Sequence, residues 1–531
     1  MQPILSKWTI NNMDTILDKL KPSMLKYRTN VAFKSDLGGE ITFDDWDKQS
    51  SNFSSFLIKR GIEKGDRVSI MLPNILQYNI AMFGIIKAGA IGVNVNPQYT
   101  KRELVKQLKD CGAKAIVAFH NVGHVIEEVI KETEIELVVM TSVGDLLSPL
   151  NKTLTNAYIK YLSKDYKKHE LDYTSWETAT RDVLYEIKTR SMSDEVVLLQ
   201  YTGGTTGVPK GAILSHNNLV SNLDQIDDRI SNIVEAGDTV ICPLPLYHIY
   251  SFMVSCLVLP SKGVTSYLIA DPRNVKKLVS TMKDNEFHGF TGINTLFSAL
   301  MKTKGFDKID FSKLKVTISG GMALSKQIDE QWFEKTGCHI AEGYGLSETS
   351  PVLCFNDPKD IKLGTVGKPV KDTEVRIIDN EICVQGPQVF RGYWNNERET
   401  SKAFHHQNCF RTGDIGKIND DGTLSIVDRM KDMIIVSGFN VYPTEVEEVL
   451  TEHPMVESAG VIGIHDKNKK EIIKAFVVLK GHVTKKELIQ HCKENLSSYK
   501  IPKEFEFITE IPTSNIGKIL HYKLREQDVA K

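Results

Sequence analysis

Short apolar runs with the look of β-strands alternate with helix-like runs through the first half of the chain. That alternation restricts it to an α/β fold with a largely parallel sheet. DRVSIMLP (66–73) reads as a strand and QYNIAMFGIIKAG (77–89) as an apolar helix. AIGVNV (90–95) is a second strand, RELVKQLKDCG (102–112) a helix and AKAIVAF (113–119) a third strand. The pattern resumes with EVVLLQY (195–201), TVICPLP (239–245), a helix over 249–259 and VTSYLI (264–269). Helices over 294–302 and 324–335 flank a strand at KVTIS (315–319). The polar stretch 145–194 is expected to be an excursion between two similar βα halves.

The texture changes near 361. TEVRIID (373–379), EICVQG (381–386) and TLSIVD (423–428) are short β runs separated by turn residues, as in a small β-rich subdomain. A last unit begins near 431. In YPTEVEEVLTEHP (442–454), Pro443 suits the first helical position and Thr444 with Glu447 suggests a capping box. Strands SAGVIGI (458–464) and IIKAFVVLK (472–480) and a helix at 485–495 complete it. The expected architecture is therefore a large N-terminal α/β domain, 1–430, with two doubly wound βα subdomains and a β-rich subdomain. A small mobile α+β C-terminal domain, 431–531, follows.

Bulk properties narrow the function. A chain of 531 residues exceeds what one core serves. A net charge of -1 argues against a dedicated nucleic-acid binder. The 8 cysteines form no CxxC pair, which fits reduced thiols in a cytoplasm. His405, His406 and Cys409 cluster without a second ligand pair, so a structural zinc is not expected there. MQPILSKWTI carries no long apolar core, so no secretory signal is expected. ICPLPLYHIYSFMVSCLVLP (241–260) has the length of a membrane span, but Pro243, Pro245 and His248 point to a buried strand, turn and helix. The sequence is compatible with peripheral membrane contact and with a homodimer.

The strongest chemical signal is YTGGTTGVPKGAILSH (201–216), which follows an apolar strand and precedes a helix-like run. Gly203, Gly204 and Gly207 permit close approach of a polyanion, and successive backbone N–H groups can form an anion nest. Thr202, Thr205 and Thr206 add hydroxyls and Lys210 a positive charge. The Gly-Lys-Ser/Thr of a Walker A loop is missing, so this is a different triphosphate grip.

The segment resembles the phosphate loop of the adenylate-forming superfamily, which includes acyl-CoA synthetases, luciferases and peptide-synthetase adenylation domains. EGYGLSETSP (342–351), RTGD (411–414), DRMKDMIIVSGFNVYPTEVE (428–447) and PTSNIGKILHYKLRE (512–526) resemble its further motifs, in the same order. PLYHIYSFMVSCL (245–257), FTGINTLFSALM (290–301), SGGM (319–322) and GPQVFRGYW (386–394) resemble bacterial-type long-chain fatty acid–CoA ligases.

That resemblance implies an ATP-dependent acid–thiol ligase that forms an acyl-adenylate, passes the acyl group to coenzyme A and releases AMP and pyrophosphate. It implies Mg²⁺ held by Thr202 and Glu348, a hydroxyl and a carboxylate that suit a hard cation. Tyr344 would offer a flat face to adenine, with Gly320, Gly321, Gly343 and Gly345 leaving room. Asp414 and Arg429 would hold the ribose and Thr349 the α-phosphate. Lys518 would stabilise charge as two anions, carboxylate and phosphate, meet. Lys431 matches the hinge position, and Gly438 would let the pantetheine arm pass. His248, Phe252 and Met322 would line the acyl site, where for His248 a satisfied core histidine is an equal alternative. Medium- to long-chain fatty acids are favoured. A short, hydroxy- or aryl-substituted acid, or an acyl-AMP ligase loading a carrier protein, is the alternative.

Overall fold

A computed structural model describes residues 14–147, 155, 167–181, 191–202, 209–405, 409–436, 439–465, 471–514 and 517–529. Two large sheets form the frame. In the seven-stranded sheet the order is Thr174–Ser175, Leu137–Thr141, Ala113–Phe119, Arg67–Met71, Ile91–Asn94, Val196–Thr202 and Lys210–Ser215. All neighbours are parallel except the last pair. These strands are apolar on both faces because helices cover both, as Val68, Ile70, Val93, Ile116 and Val117 show by their burial.

The nine-stranded sheet has a parallel centre: Ile340–Gly345, Val316–Gly320, Gly289–Gly292, Thr239–Cys242, Thr265–Leu268 and Val31–Ser35. Antiparallel strands finish it at both edges, Glu40–Thr42 on one side and Val352–Phe355 with Lys368–Pro369 on the other. Strand Val31–Ser35, though near the start of the chain, thus belongs to the second half of the fold.

Three expectations are revised. The excursion 145–194 is not wholly a surface connector: Thr174–Ser175 joins the seven-stranded sheet, and Trp176 is buried against Phe53 at a ring separation of 5.5 Å. The glycine-rich segment does not run straight into a helix, because strand Lys210–Ser215 intervenes before helix His216–Ile230. Helix Pro443–Glu452 begins on Pro443 as expected but has no capping box. Asp428, from strand Leu424–Arg429, accepts from Thr444 N at 2.9 Å, and Glu447 instead accepts from Val461 N at 2.8 Å.

A five-stranded antiparallel sheet contains Glu374–Ile378, Glu381–Gln385, Cys409–Ile418, Phe404–His405 and Leu424–Arg429. Asp379 and Asn380 both take positive φ, 51° and 66°, and make the two-residue turn that joins its first two strands. The terminal unit packs helices Pro443–Glu452, Lys485–Asn495 and His521–Val529 on strands Val456–His465, Glu471–Leu479 and Glu504–Phe507. The 241–260 stretch resolves into strand Thr239–Cys242, a helical turn Ile249–Ser251 and a π-helix Phe252–Val258. Among the described residues no helix is long and apolar enough to cross a membrane. No cluster of histidine, cysteine and carboxylate side chains is placed to hold a metal among them either.

Trp46 ties the two sheets together. On helix Phe43–Lys59 it is fully buried between Phe33 of the nine-stranded sheet, at 5.0 Å, and Phe83 of helix Leu76–Lys87, at 4.2 Å. Its indole N–H donates to Asn79 O at 3.2 Å. Trp46→Ala is expected to cost about 3–5 kcal/mol in denaturant unfolding, the usual range for a large aromatic lost from a core. A loss below about 1 kcal/mol would show that the sheets hold together without it.

Candidate active site

The site grows from the carboxyl ends of the parallel strands, where open α/β sheets collect ligands. Thr202 closes strand Val196–Thr202 and pairs across the sheet edge with Lys210. Its hydroxyl donates to Lys210 O at 3.4 Å. The two ends of the glycine-threonine segment are therefore fixed in adjacent strands. Gly203, Gly204, Thr205, Thr206 and Gly207 lie outside the described residues.

Lys210 pairs with Glu399, and its ammonium stands 5.3 Å from the centre of the Tyr393 ring. Tyr393 donates its hydroxyl proton to Glu348 Oε1 at 2.8 Å. Glu348 lies in the short turn Ser347–Thr349, against which strand Val196–Thr202 packs. It is buried, and burial pushes its carboxyl pKa up. The Tyr393 hydrogen bond and the charges of Arg429 and Lys210 pull the other way. A carboxylate withdrawn from water with one oxygen held in place is a suitable donor for a divalent cation. Thr349 is fully buried, and its hydroxyl is engaged by its own turn, donating to Leu346 O and Pro351 O.

A second group gathers behind it. Tyr344 donates to Asp414 Oδ2 at 2.7 Å, and Arg429 Nε stands 3.3 Å from Asp414 Oδ1. Asp414 and Arg429 are direct cross-strand partners, which explains why two residues far apart in sequence meet. The RTGD segment, irregular within strand Cys409–Ile418, is shaped by Glu381, which is buried. Its carboxylate accepts from Arg411 Nε at 2.8 Å and from Gly413 N at 2.9 Å. Gly320, Gly321 and Gly343 sit at the ends of strands Val316–Gly320 and Ile340–Gly345 beside Tyr344. Gly345 cannot be any other residue, since a Cβ there would stand 1.7 Å from Pro351 O.

The terminal unit reaches into this cleft. Lys518 lies in a tight loop in which Ser514 N donates to Lys518 O at 2.8 Å, and Lys518 N to Ser514 Oγ at 3.1 Å. A Cβ on Gly517 would stand 2.8 Å from Thr295 Oγ1 and 3.5 Å from Met322 Sδ, so the loop lies directly on the acyl-side residues. Lys518 is pushed down to about 7 by burial first and then by Arg429. Asp414 and Asp432 oppose that shift, and Lys431 adds to it. The structure thus brings Lys518, Arg429, Asp414 and Tyr344 together. Gly438 lies outside the described residues.

On the acyl side, His248 precedes the helical turn Ile249–Ser251. Its Nε2 is buried without a hydrogen-bond partner among the described residues, and burial pushes the ring down to about 4. A histidine satisfied within the core would have that nitrogen bonded. Phe252 is 1% exposed at the start of the π-helix, a distortion that recurs at functional sites. Tyr250 donates to Ile318 O at 3.2 Å. A buried polar chain holds this segment to the phosphate side. Tyr78 donates to Asn94 Oδ1 at 2.7 Å and is also bonded to Leu246 O. Asn94 donates to Gln200 Oε1 at 3.0 Å, and Gln200 Nε2 donates to Tyr247 O at 3.0 Å.

Comparison with known proteins agrees with this geometry. Residues 21–394 match the AMP-binding enzyme family, and residues 445–518 match the AMP-binding enzyme C-terminal domain. The chain belongs to the AMP-binding enzyme family. Among similar relatives is the long-chain-fatty-acid–CoA ligase of Yersinia pestis, 42% identical over 97% of this chain and 94% of that protein. Another is the long-chain-fatty-acid–CoA ligase of Escherichia coli O157:H7, 40% identical over the same shares, 97% and 94%. The solved ATP-bound MatB from Rhodopseudomonas palustris is 25% identical with a TM-score of 0.82, covering 98% of this chain and 100% of that one.

Sequence reasoning missed four polar residues of this AMP-binding enzyme: Tyr393, Glu399, Glu381 and His521. Tyr393 lies inside the GPQVFRGYW segment that had already drawn notice, so its hydroxyl was within reach. His521 likewise lies inside the PTSNIGKILHYKLRE segment, but it, Glu381 and Glu399 make contacts with residues 30 or more positions away, which no local pattern reveals.

The lowered pKa of Lys518 gives a direct test. Above about pH 7 its amine is largely neutral in the ligand-free enzyme, while ordinary lysines stay charged to about pH 10. Limiting treatment with a small amine-acylating reagent at about pH 8 should therefore modify Lys518 ahead of surface lysines, as read by peptide mass spectrometry. Labelling should fall below about pH 6, as the amine charges, and ATP should protect it. Labelling no faster than the surface average would overturn the assignment of its environment.

Proposed function

We propose that this chain joins long-chain fatty acids to coenzyme A, as an AMP-forming acyl-CoA synthetase acting through an acyl-adenylate. The observation that carries the reading is the convergence of Lys518 with Arg429, Asp414 and Tyr344 in a cleft closed by the terminal unit. The relatives named as long-chain-fatty-acid–CoA ligases support the fatty acid as substrate. The half-buried Met322, the buried Phe252, and His248, whose Nε2 has no hydrogen-bond partner among the described residues, suit an acid with an apolar chain.

In this reading ATP binds with its phosphates on the Thr202–Lys210 segment, displacing Glu399 from Lys210. Thr202 and Glu348 would hold Mg²⁺, which supplies positive charge to the phosphate oxygens. Tyr393 orients Glu348 for that task. Tyr344 lies beside the adenine, and Asp414 with Arg429 holds the ribose. His248 receives the carboxylate of the fatty acid, whose oxygen attacks the α-phosphorus and expels pyrophosphate. Both reactants are anions, so the work of the site is to lower their repulsion, and Lys518 is the charge placed between them. No side-chain nucleophile is needed, because the substrate carboxylate is the nucleophile.

The thiol of coenzyme A must then reach the acyl carbon from the side that the Lys518 loop occupies. We place the boundary between two moving domains, 1–430 and 431–531, at Lys431. Rotation there withdraws Lys518 and brings the Gly438 segment toward the adenylate, so one enzyme serves two half-reactions in turn.

Lys518→Ala should lower acid-dependent ATP–pyrophosphate exchange by about 10²–10³-fold, the size of a lost electrostatic stabiliser. It should leave conversion of pre-made acyl-adenylate to acyl-CoA within about threefold of the parent. An equal fall in both half-reactions would overturn the role assigned to Lys518. For the substrate, thioester formation across acids of increasing length should peak among long-chain acids. A peak at acetate or at an aryl acid would overturn the fatty-acid assignment.

A further inference from the structure

His521 opens helix His521–Val529, three residues after Lys518, and the adenylation chemistry makes no direct use of it. Its ring is nearly enclosed. Nε2 bonds Glu447 Oε1 at 2.7 Å, and Nδ1 stands 3.7 Å from Asp432 Oδ2. Glu447 belongs to helix Pro443–Glu452, and Asp432 directly follows the hinge residue Lys431. The other oxygen of Asp432 accepts from Arg525 Nη2, one turn along from His521, at 2.9 Å. Asp428 adds a third carboxylate from strand Leu424–Arg429, and its backbone neighbour is Arg429 of the ribose site. At the far end of the same helix, Lys474 is paired with Asp528 and with Glu506.

Three carboxylates therefore crowd one imidazole, with Arg525 engaging Asp432. Burial alone would push the imidazole down. The hydrogen bond and charge of Glu447, with Asp432 and Asp428, outweigh it and raise the pKa of His521 above its ordinary 6.5. With a neutral ring, Glu447 and Asp432 would both be buried near each other with one cation fewer, a costly arrangement. The charged ring bonds Glu447 and attracts Asp432 at once. It pins the start of the helix, and the loop that carries Lys518 is tied to that start through Leu520 N, which donates to Pro512 O at 2.8 Å.

We propose that His521 is a positioning residue whose imidazolium, held between Glu447 and Asp432, fixes the Lys518 loop for acyl adenylation and makes that half-reaction depend on its protonation. The proposal rests on the role given to Lys518 above. Its sign follows directly: adenylation is supported at low pH, where the ring is charged, and is lost as pH rises through the raised pKa.

The test compares the parent enzyme with His521→Arg, which keeps a permanent cation facing the same carboxylates, at saturating ATP and acid from about pH 6 to about pH 9. Taking the parent-to-variant ratio of ATP–pyrophosphate exchange cancels the pH responses of ATP, pyrophosphate and Lys518. The ratio should fall by about 10- to 100-fold across that range, the scale of a reacting group displaced by about 1 Å. His521→Ala should be slow in exchange at every pH. All three proteins should convert pre-made acyl-adenylate to acyl-CoA at similar rates, which also shows that each is folded. A ratio that stays flat would overturn the proposal. So would loss of the thioester step in His521→Arg, since His521 would then be holding the domain as a whole. Lys518→Ala run in parallel separates the two ideas. If it leaves exchange intact, the role of Lys518 fails; if it abolishes exchange while the ratio is flat, only the role of His521 fails.

Discussion

Asp414 is the carboxylate on which the site turns. It accepts from Tyr344, faces Arg429 across a strand pair, and is the carboxylate whose charge acts most on Lys518. Lys518, Arg429 and Lys431 would otherwise repel one another in a cleft where water screens poorly. Without the strand pairing that sets Asp414 opposite Arg429, neither the ribose group nor the docking of the terminal unit would have a fixed partner.

The two large sheets are held in one frame by apolar and polar means. Trp46 packs helix Phe43–Lys59 against the nine-stranded sheet and against helix Leu76–Lys87, which lies on the other sheet. The chain of Gln200, Asn94 and Tyr78 binds the strand that ends at Thr202 to the backbone around Tyr247 and His248. A buried network of this kind is stable only when its members are satisfied together. Distances between the phosphate end and the acyl end of the site are thus set by bonds in the core and not by surface loops.

Most of the α/β frame was legible because its strands are apolar throughout and its helices keep a regular spacing. Helix Asn294–Lys302 falls where the pattern put it, and helix Lys485–Asn495 likewise. The capping box at Thr444 was misread because the donor to be satisfied is met by Asp428, a residue of the neighbouring strand. The stretch 145–194 gave no sign of the buried Trp176, because a polar stretch can still contribute one large side chain to a core. The motif residues Tyr344, Asp414, Arg429 and Lys518 were visible as sequence, and their convergence depends on cross-strand pairing and on a loop from the far end of the chain. Glu381 and Glu399 had no local signature, and His521 stood inside the 512–526 motif without a role of its own. Each is an ordinary charged residue until the fold sets a partner beside it.

On the proposed function, Lys210 meets the incoming nucleotide already paired with Glu399 and resting near the Tyr393 ring. An anion that would take its place must outcompete a carboxylate that is attached to the same chain and so never diffuses away. A small singly charged anion gains too little from one lysine to do this, whereas a triphosphate gains along its whole length. On that reading the closed pair sets a threshold that favours a polyanion over stray small anions before any substrate arrives.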